Sequence, residues 1–130
     1  MTPSSAARNT TLDQDLLDLA LAAVAAASEV TMRSFRSRDY RVTTKSSAAD
    51  VVTDADVESE LVTKTHLLGA RPDDSFMGEE GAPVEGSSGV TWILDPIDST
   101  ANFARGIPIW SISLAALVDD DVRAAVVACP

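Results

Sequence analysis

Cysteine is almost absent. Cys129 is the single one in 130 residues, so the chain can build neither an internal disulfide nor a thiolate zinc site. That usage fits a reducing, cytoplasmic setting, and Cys129 itself reads as a small buried apolar residue near the end of a strand. Basic residues are scarce as well: 10 Lys and Arg stand against 20 Asp and Glu, a formal net charge of −10. A chain of that sign repels phosphate backbones, which argues against nucleic acid as a partner. Long apolar runs are missing too. The nearest is Leu16 to Val30, LLDLALAAVAAASEV, which is too short and too alanine-rich to span a bilayer. Asp13, Asp15 and Asp18 stand where a secretory leader needs positive charge, so the stretch reads as an ordinary helix and no membrane partner is expected.

What is present suffices for one domain with a hydrophobic core, since 45% of the residues are apolar and disorder is not the default. Met1 to Thr10 is rich in small and polar residues and reads as a fraying tail, with the domain running from residue 12 to 130. Thr11 can cap a helix from Leu12 to about Phe35, because Leu16, Leu19, Ala20, Val24, Ala27 and Met32 recur at helical spacing. Lys45 to Asp50 reads as a polar loop. Asp54 or Asp56 opens a second helix, Val57 to Leu68, stopped by Gly69 and Pro72. Strands are expected at Ser75–Gly78, Thr91–Leu94, Ile109–Val118 and Val122–Ala128, with a mobile Gly/Ser loop over 81–89, a turn over Asp95–Ser99 and a short helix over Thr100–Arg105. Helices followed by strands predict an α+β layered fold, a helix pair on a mainly antiparallel sheet. The sequence stops directly after a strand, which is expected of a piece of something larger.

Three acidic groups draw attention. In Asp95-Pro96-Ile97-Asp98-Ser99-Thr100, Pro96 restricts its own backbone and biases Asp95 towards an extended conformation, so two carboxylates can converge. With the carbonyl of Ile97 they would offer hard oxygen ligands suited to magnesium. An Asp-Pro turn with capping aspartates reads the same residues equally well. Glu79-Glu80 before Gly81 is a second pair, which alone reads as solvated. Asp50, Asp54 and Asp56 around Thr53 form a third, which helix capping alone explains.

Taken together these stretches resemble the inositol monophosphatase family of magnesium-dependent, lithium-sensitive phosphatases. The resemblance rests on Lys45-Ser46-Ser47 leading to Asp50-Val51-Val52-Thr53-Asp54-Ala55-Asp56, on Phe76-Met77-Gly78-Glu79-Glu80, and on Trp92-Ile93-Leu94-Asp95-Pro96-Ile97-Asp98-Ser99-Thr100-Ala101-Asn102-Phe103. It implies the amino-terminal part of an α-β-α-β-α sandwich. It implies that Glu79, Asp95 and the Ile97 carbonyl hold one Mg2+ and that Asp95 and Asp98 share a second. Thr100, paired with Asp56, would orient and deprotonate the attacking water. The Ser99 and Thr100 amides would receive the phosphate, with Glu79, Ile97 and Asp98 also meeting the substrate. Glu80 would support the site and Lys45 would lie at its edge.

The sequence departs from the family pattern twice. Ser99 stands where the family usually has glycine, which implies a lower catalytic rate rather than weaker metal binding. A later Trp-Asp segment of the family, which supplies a further aspartate to the second metal, has no counterpart here, so little or no activity is expected of these 130 residues alone. The substrate implied is a small phosphorylated alcohol, foremost inositol monophosphate; histidinol phosphate, fructose 1,6-bisphosphate and 3′-phosphoadenosine 5′-phosphate are the alternatives within the superfamily. A homodimer is compatible with the exposed apolar surface expected of such a piece. A non-catalytic remnant that binds magnesium weakly or pairs with another subunit is the competing class.

Overall fold

A computed structural model describes residues 10–44 and 51–130. Helix α1 (Thr10–Ser37) is followed by two short strands, β1 (Val42–Thr44) and β2 (Val51–Thr53), then helix α2 (Asp54–Ala70) and strands β3 (Ser75–Met77) and β4 (Val90–Asp98). A one-turn helix α3 (Thr100–Ala104) leads to β5 (Ser111–Val118) and β6 (Asp121–Ala128). The α+β arrangement expected from the sequence is the one observed. Lys45, Ser46, Ser47 and Asp50 lie outside the described residues, as does the expected amino-terminal tail up to residue 9.

α1 buries Leu16, Ala20, Ala23, Val24, Ala27 and Thr31 on one face. Its alanines let α2 and the sheet approach closely, and α1 packs on α2, β5 and β6. Thr10 and Thr11 are already helical, so Thr11 is not the cap; helix starts fray and shift by a residue or two. The second helix is capped by Thr53 instead, whose backbone is extended (φ −114°, ψ 163°). Thr53 and Asp56 form a reciprocal capping box, with the Asp56 N–H donating to Thr53 Oγ1 and the Thr53 N–H donating to Asp56 Oδ2.

The main sheet has the order β3-β4-β5-β6, parallel between β3 and β4 and antiparallel thereafter. Val90, Trp92 and Leu94 of β4 and Ile112, Leu114 and Ala116 of β5 alternate onto the buried face. Met77, Ile93, Val122 and Val127 are exposed. Trp92 is fully buried, and its indole N–H donates to Asp74 Oδ2 at 2.8 Å, where Arg71 Nε also donates at 2.6 Å.

Two expectations are corrected. Asp95 to Asp98 is not a turn, because β4 continues through it. Asp95 pairs with Ser113 and Asp98 with Ser111, so β4 spends three residue steps where β5 spends two. The extra residue is a bulge, and Pro96 is its physical reason, since it has no N–H to give to the ladder. The loop over 81–89 is also tethered. Phe76 and Val84 exchange backbone hydrogen bonds at 2.9 and 2.8 Å, and the Ser87 and Ser88 N–H groups donate to the Asp73 carbonyl. Gly86 is required there, because a β-carbon would overlap the backbone of Asp73 and Asp74.

Candidate active site

A regular strand would aim residues 95 and 98 at opposite faces. The bulge removes that parity, and the two carboxylates come within electrostatic reach of each other. Burial raises the Asp95 carboxyl above the ordinary carboxylate value, and the charges of Asp98, Asp56 and Glu80 push it further the same way. A hydrogen bond from the Ile97 backbone opposes them. Asp95 Oδ1 is buried and accepts no hydrogen bond. A buried carboxylate oxygen without a donor, crowded by three like charges, is costly unless a cation joins it.

Asp56 is 1% exposed and sits at the first turn of α2. Its two oxygens have separate partners. Oδ2 accepts from the Thr53 N–H at 3.0 Å and the Thr53 hydroxyl at 2.6 Å. Oδ1 accepts from the Thr100 hydroxyl at 2.7 Å, across 44 positions of sequence. Burial raises the Asp56 carboxyl, and the hydrogen bonds from Thr53 and Thr100 hold the rise in check. The Thr100 hydroxyl also lies 3.0 Å from the Ile97 carbonyl.

Ser99 precedes α3 in the left-handed region (φ 69°, ψ 53°), and its side chain makes no capping hydrogen bond. That is the conformation glycine adopts most easily, which accounts physically for glycine being usual here and leaves Ser99 strained. α3 itself is held by Tyr40, whose hydroxyl donates to the Phe103 carbonyl at 3.1 Å, and by Arg38, which donates to the Ala104 carbonyl at 2.9 Å. A pocket of about 250 Å3 opens beside Ser99, lined by Pro108, Ile109, Trp110, Ser111 and Cys129; Cys129 follows the end of β6 and is exposed, not buried as expected. A larger hollow of about 530 Å3 lies against Met32 and Arg36 at the end of α1 and contains none of the acidic site residues.

The structure thus brings together Asp56 and Thr100 by contact, and Asp95, Asp98, Asp56 and Glu80 by charge. Glu79 is exposed at the start of the loop after β3. Among the described residues no three His, Cys, Asp or Glu side chains are drawn to metal-holding distance. The donors fit magnesium in kind: carboxylates and one main-chain carbonyl, all hard oxygen, with an orphaned Asp95 oxygen among them.

Two residues that sequence reasoning missed organise this site. Ser59 donates its hydroxyl to the Pro96 carbonyl at 2.9 Å, pinning α2 to the bulge. Glu60, 5% exposed, accepts from the Glu79 and Glu80 N–H groups on Oε1 and from the Gly81 N–H on Oε2. The signal was available. Asp56, Ser59, Glu60 and Thr63 follow i, i+3, i+4, i+7, a polar stripe at the spacing of a buried helix face.

Comparison with known proteins identifies the family and the fold. The model of the inositol monophosphatase family matches residues 12–130. A histidinol-phosphatase of Mycobacterium tuberculosis is 42% identical over 111 residues, covering 85% of this chain and 42% of that protein. An inositol-1-monophosphatase of Rhizobium meliloti is 36% identical over 116 residues, covering 88% of this chain and 44% of that protein. The crystal structure of the extragenic suppressor protein suhB from Bartonella henselae superposes with a TM-score of 0.83 at 30% identity, covering 87% of this chain and 44% of that one. The chain therefore spans less than half the length of the curated relatives it matches. No helix among the described residues is long and apolar enough to cross a membrane.

Proposed function

Because the chain belongs to the inositol monophosphatase family, we propose that it takes part in the magnesium-dependent hydrolysis of a small phosphate monoester, foremost inositol monophosphate. The observation that carries this reading is the 2.7 Å hydrogen bond from Thr100 to Asp56 beside the orphaned oxygen of Asp95. Glu79, Asp95, Asp98 and the Ile97 carbonyl would hold Mg2+. When bound, the metal supplies Lewis acidity, lowering the pKa of water and offsetting charge on the leaving oxygen.

The chain's own residues do the rest. Thr100 donates its proton to Asp56, which leaves its oxygen electron-rich and able to accept a proton from water. Burial makes Asp56 a stronger proton acceptor than a solvated aspartate, which suits the end of that relay. The Ser99 and Thr100 amides would receive the phosphate at the start of α3, fixing it against the water for in-line attack. Glu80 would add negative charge beside Asp95 that a bound cation offsets. The pocket beside Ser99 is the space offered to the alcohol.

A second reading, histidinol phosphate as substrate, is favoured by the 42% identity to a protein named histidinol-phosphatase. Phosphate release from a panel of monoesters, by the protein as its gene expresses it, tests both. Mg2+-dependent release that is lost in Asp98→Asn is expected, and the preferred monoester separates the two readings. Release that survives Asp98→Asn refutes the proposed site. Mg2+ binding or subunit association without release would favour the non-catalytic class.

A further inference from the structure

Glu60 is a buried carboxylate with three backbone N–H groups pointed at it. Glu79 N–H donates at 2.7 Å and Glu80 N–H at 3.0 Å to Oε1, and Gly81 N–H donates at 2.6 Å to Oε2. Successive amides turned to one point make a concavity that binds anions. Here the anion is the chain's own, and three charge-assisted bonds offset the cost of burying it. Gly78 completes the fit, since a β-carbon there would overlap the Glu60 carboxylate. Glu60 also lies one helical turn after Asp56, with Ser59 between them in space. One face of α2 therefore touches Thr100, the Pro96 carbonyl and the Glu79–Gly81 backbone together.

We propose that Glu60 is the positioning residue for the Glu79 turn, holding the backbone from which Glu79 reaches the metal and registering it on Asp56 and the β4 bulge. This inference rests on the reading of Glu79 as a metal ligand given above. Glu60 does not touch metal or substrate; it fixes where the ligand's main chain stands. The consequence is that α2 sets the spacing between acidic segments that are far apart in sequence.

The test uses the intact protein and Mn2+ as the probe, with affinity read by electron paramagnetic resonance and thermal unfolding recorded alongside. Glu60→Gln replaces one accepting oxygen by a donor and is expected to weaken Mn2+ roughly 10- to 100-fold, with a cooperative unfolding transition retained. Gly78→Ala displaces the carboxylate with its charge intact and is expected to weaken Mn2+ in the same way. Glu58→Gln, on the exposed side of α2, should leave affinity unchanged. Where Glu60→Gln fails to fold, Glu60→Asp, too short by one methylene to meet all three amides, decides the matter by the same loss of affinity. Wild-type affinity in the folded Glu60 and Gly78 variants overturns the positioning role alone. A wild-type protein that binds no Mn2+ overturns the metal reading itself, and this role with it.

Discussion

Replacing Ser99 by glycine should stabilise the protein. Ser99 holds φ 69° and ψ 53°, a left-handed conformation that costs an L-residue roughly 1–2 kcal/mol. Its side chain makes no capping bond, so nothing local offsets that strain. Glycine removes the strain but gives the unfolded chain more freedom, which returns about 0.4–1 kcal/mol. A net gain of about 0.5–1 kcal/mol remains, equivalent to a rise in Tm of roughly 2–6 °C for a domain of this size. Thermal denaturation followed by circular dichroism reads it directly. Ser99→Ala serves as the contrast, because it keeps the β-carbon and loses only the hydroxyl; it should be no more stable than the wild type. A Ser99→Gly variant less stable than the wild type refutes the reasoning, and so does Ser99→Ala matching Ser99→Gly. On the proposed activity, Ser99→Gly should also raise turnover with little change in metal affinity, and an unchanged or slower variant would sink that part.

Asp95→Asn should flatten the stability–pH curve. A folded carboxyl raised above 3.8 contributes stability that is present below 3.8 and lost as pH rises through its folded value. The asparagine variant should therefore lack that decline, measured as the difference from wild type in urea midpoints across the acid range, and Mn2+ should stabilise the wild type but not the variant. Thr100→Val should lower kcat by about 100-fold or more while leaving Mn2+ affinity near wild type, since it removes the relay hydroxyl and no ligand. Equal losses in both would contradict the separation of roles. Trp92→Phe removes one of the donors to buried Asp74 and should cost about 2 kcal/mol, read as a lower urea midpoint at unchanged m.

Much of the scaffold was legible. The apolar spacing of α1 and the alternation in β5 follow directly from burial on one face, so periodicity finds them. Pro96 misled the reading of Asp95 to Asp98, because a proline signals a turn but a bulged strand accommodates one as well. The resemblance pointed to the Asp56–Thr100 pair, which the fold joins by a hydrogen bond; the commitment of the other Asp56 oxygen to the Thr53 hydroxyl depends on the folded cap and was not legible. Ser59 and Glu60 were hidden for a related reason. A polar stripe at helical spacing looks like a solvated face until the backbone it bonds to is folded against it. The tethering of the 81–89 segment was equally invisible, since it joins the main chain of Asp73 and Phe76 and the side chains of Ser75 and Asp74, contacts that only the folded chain brings together.

Asp56 has one oxygen committed to the start of α2 and the other to Thr100. Helix initiation and the aim of a hydroxyl are thereby the same mechanical event. A change that relaxes one end of this carboxylate loosens the other, so variation at Asp56 has no route to altered chemistry that leaves the fold intact.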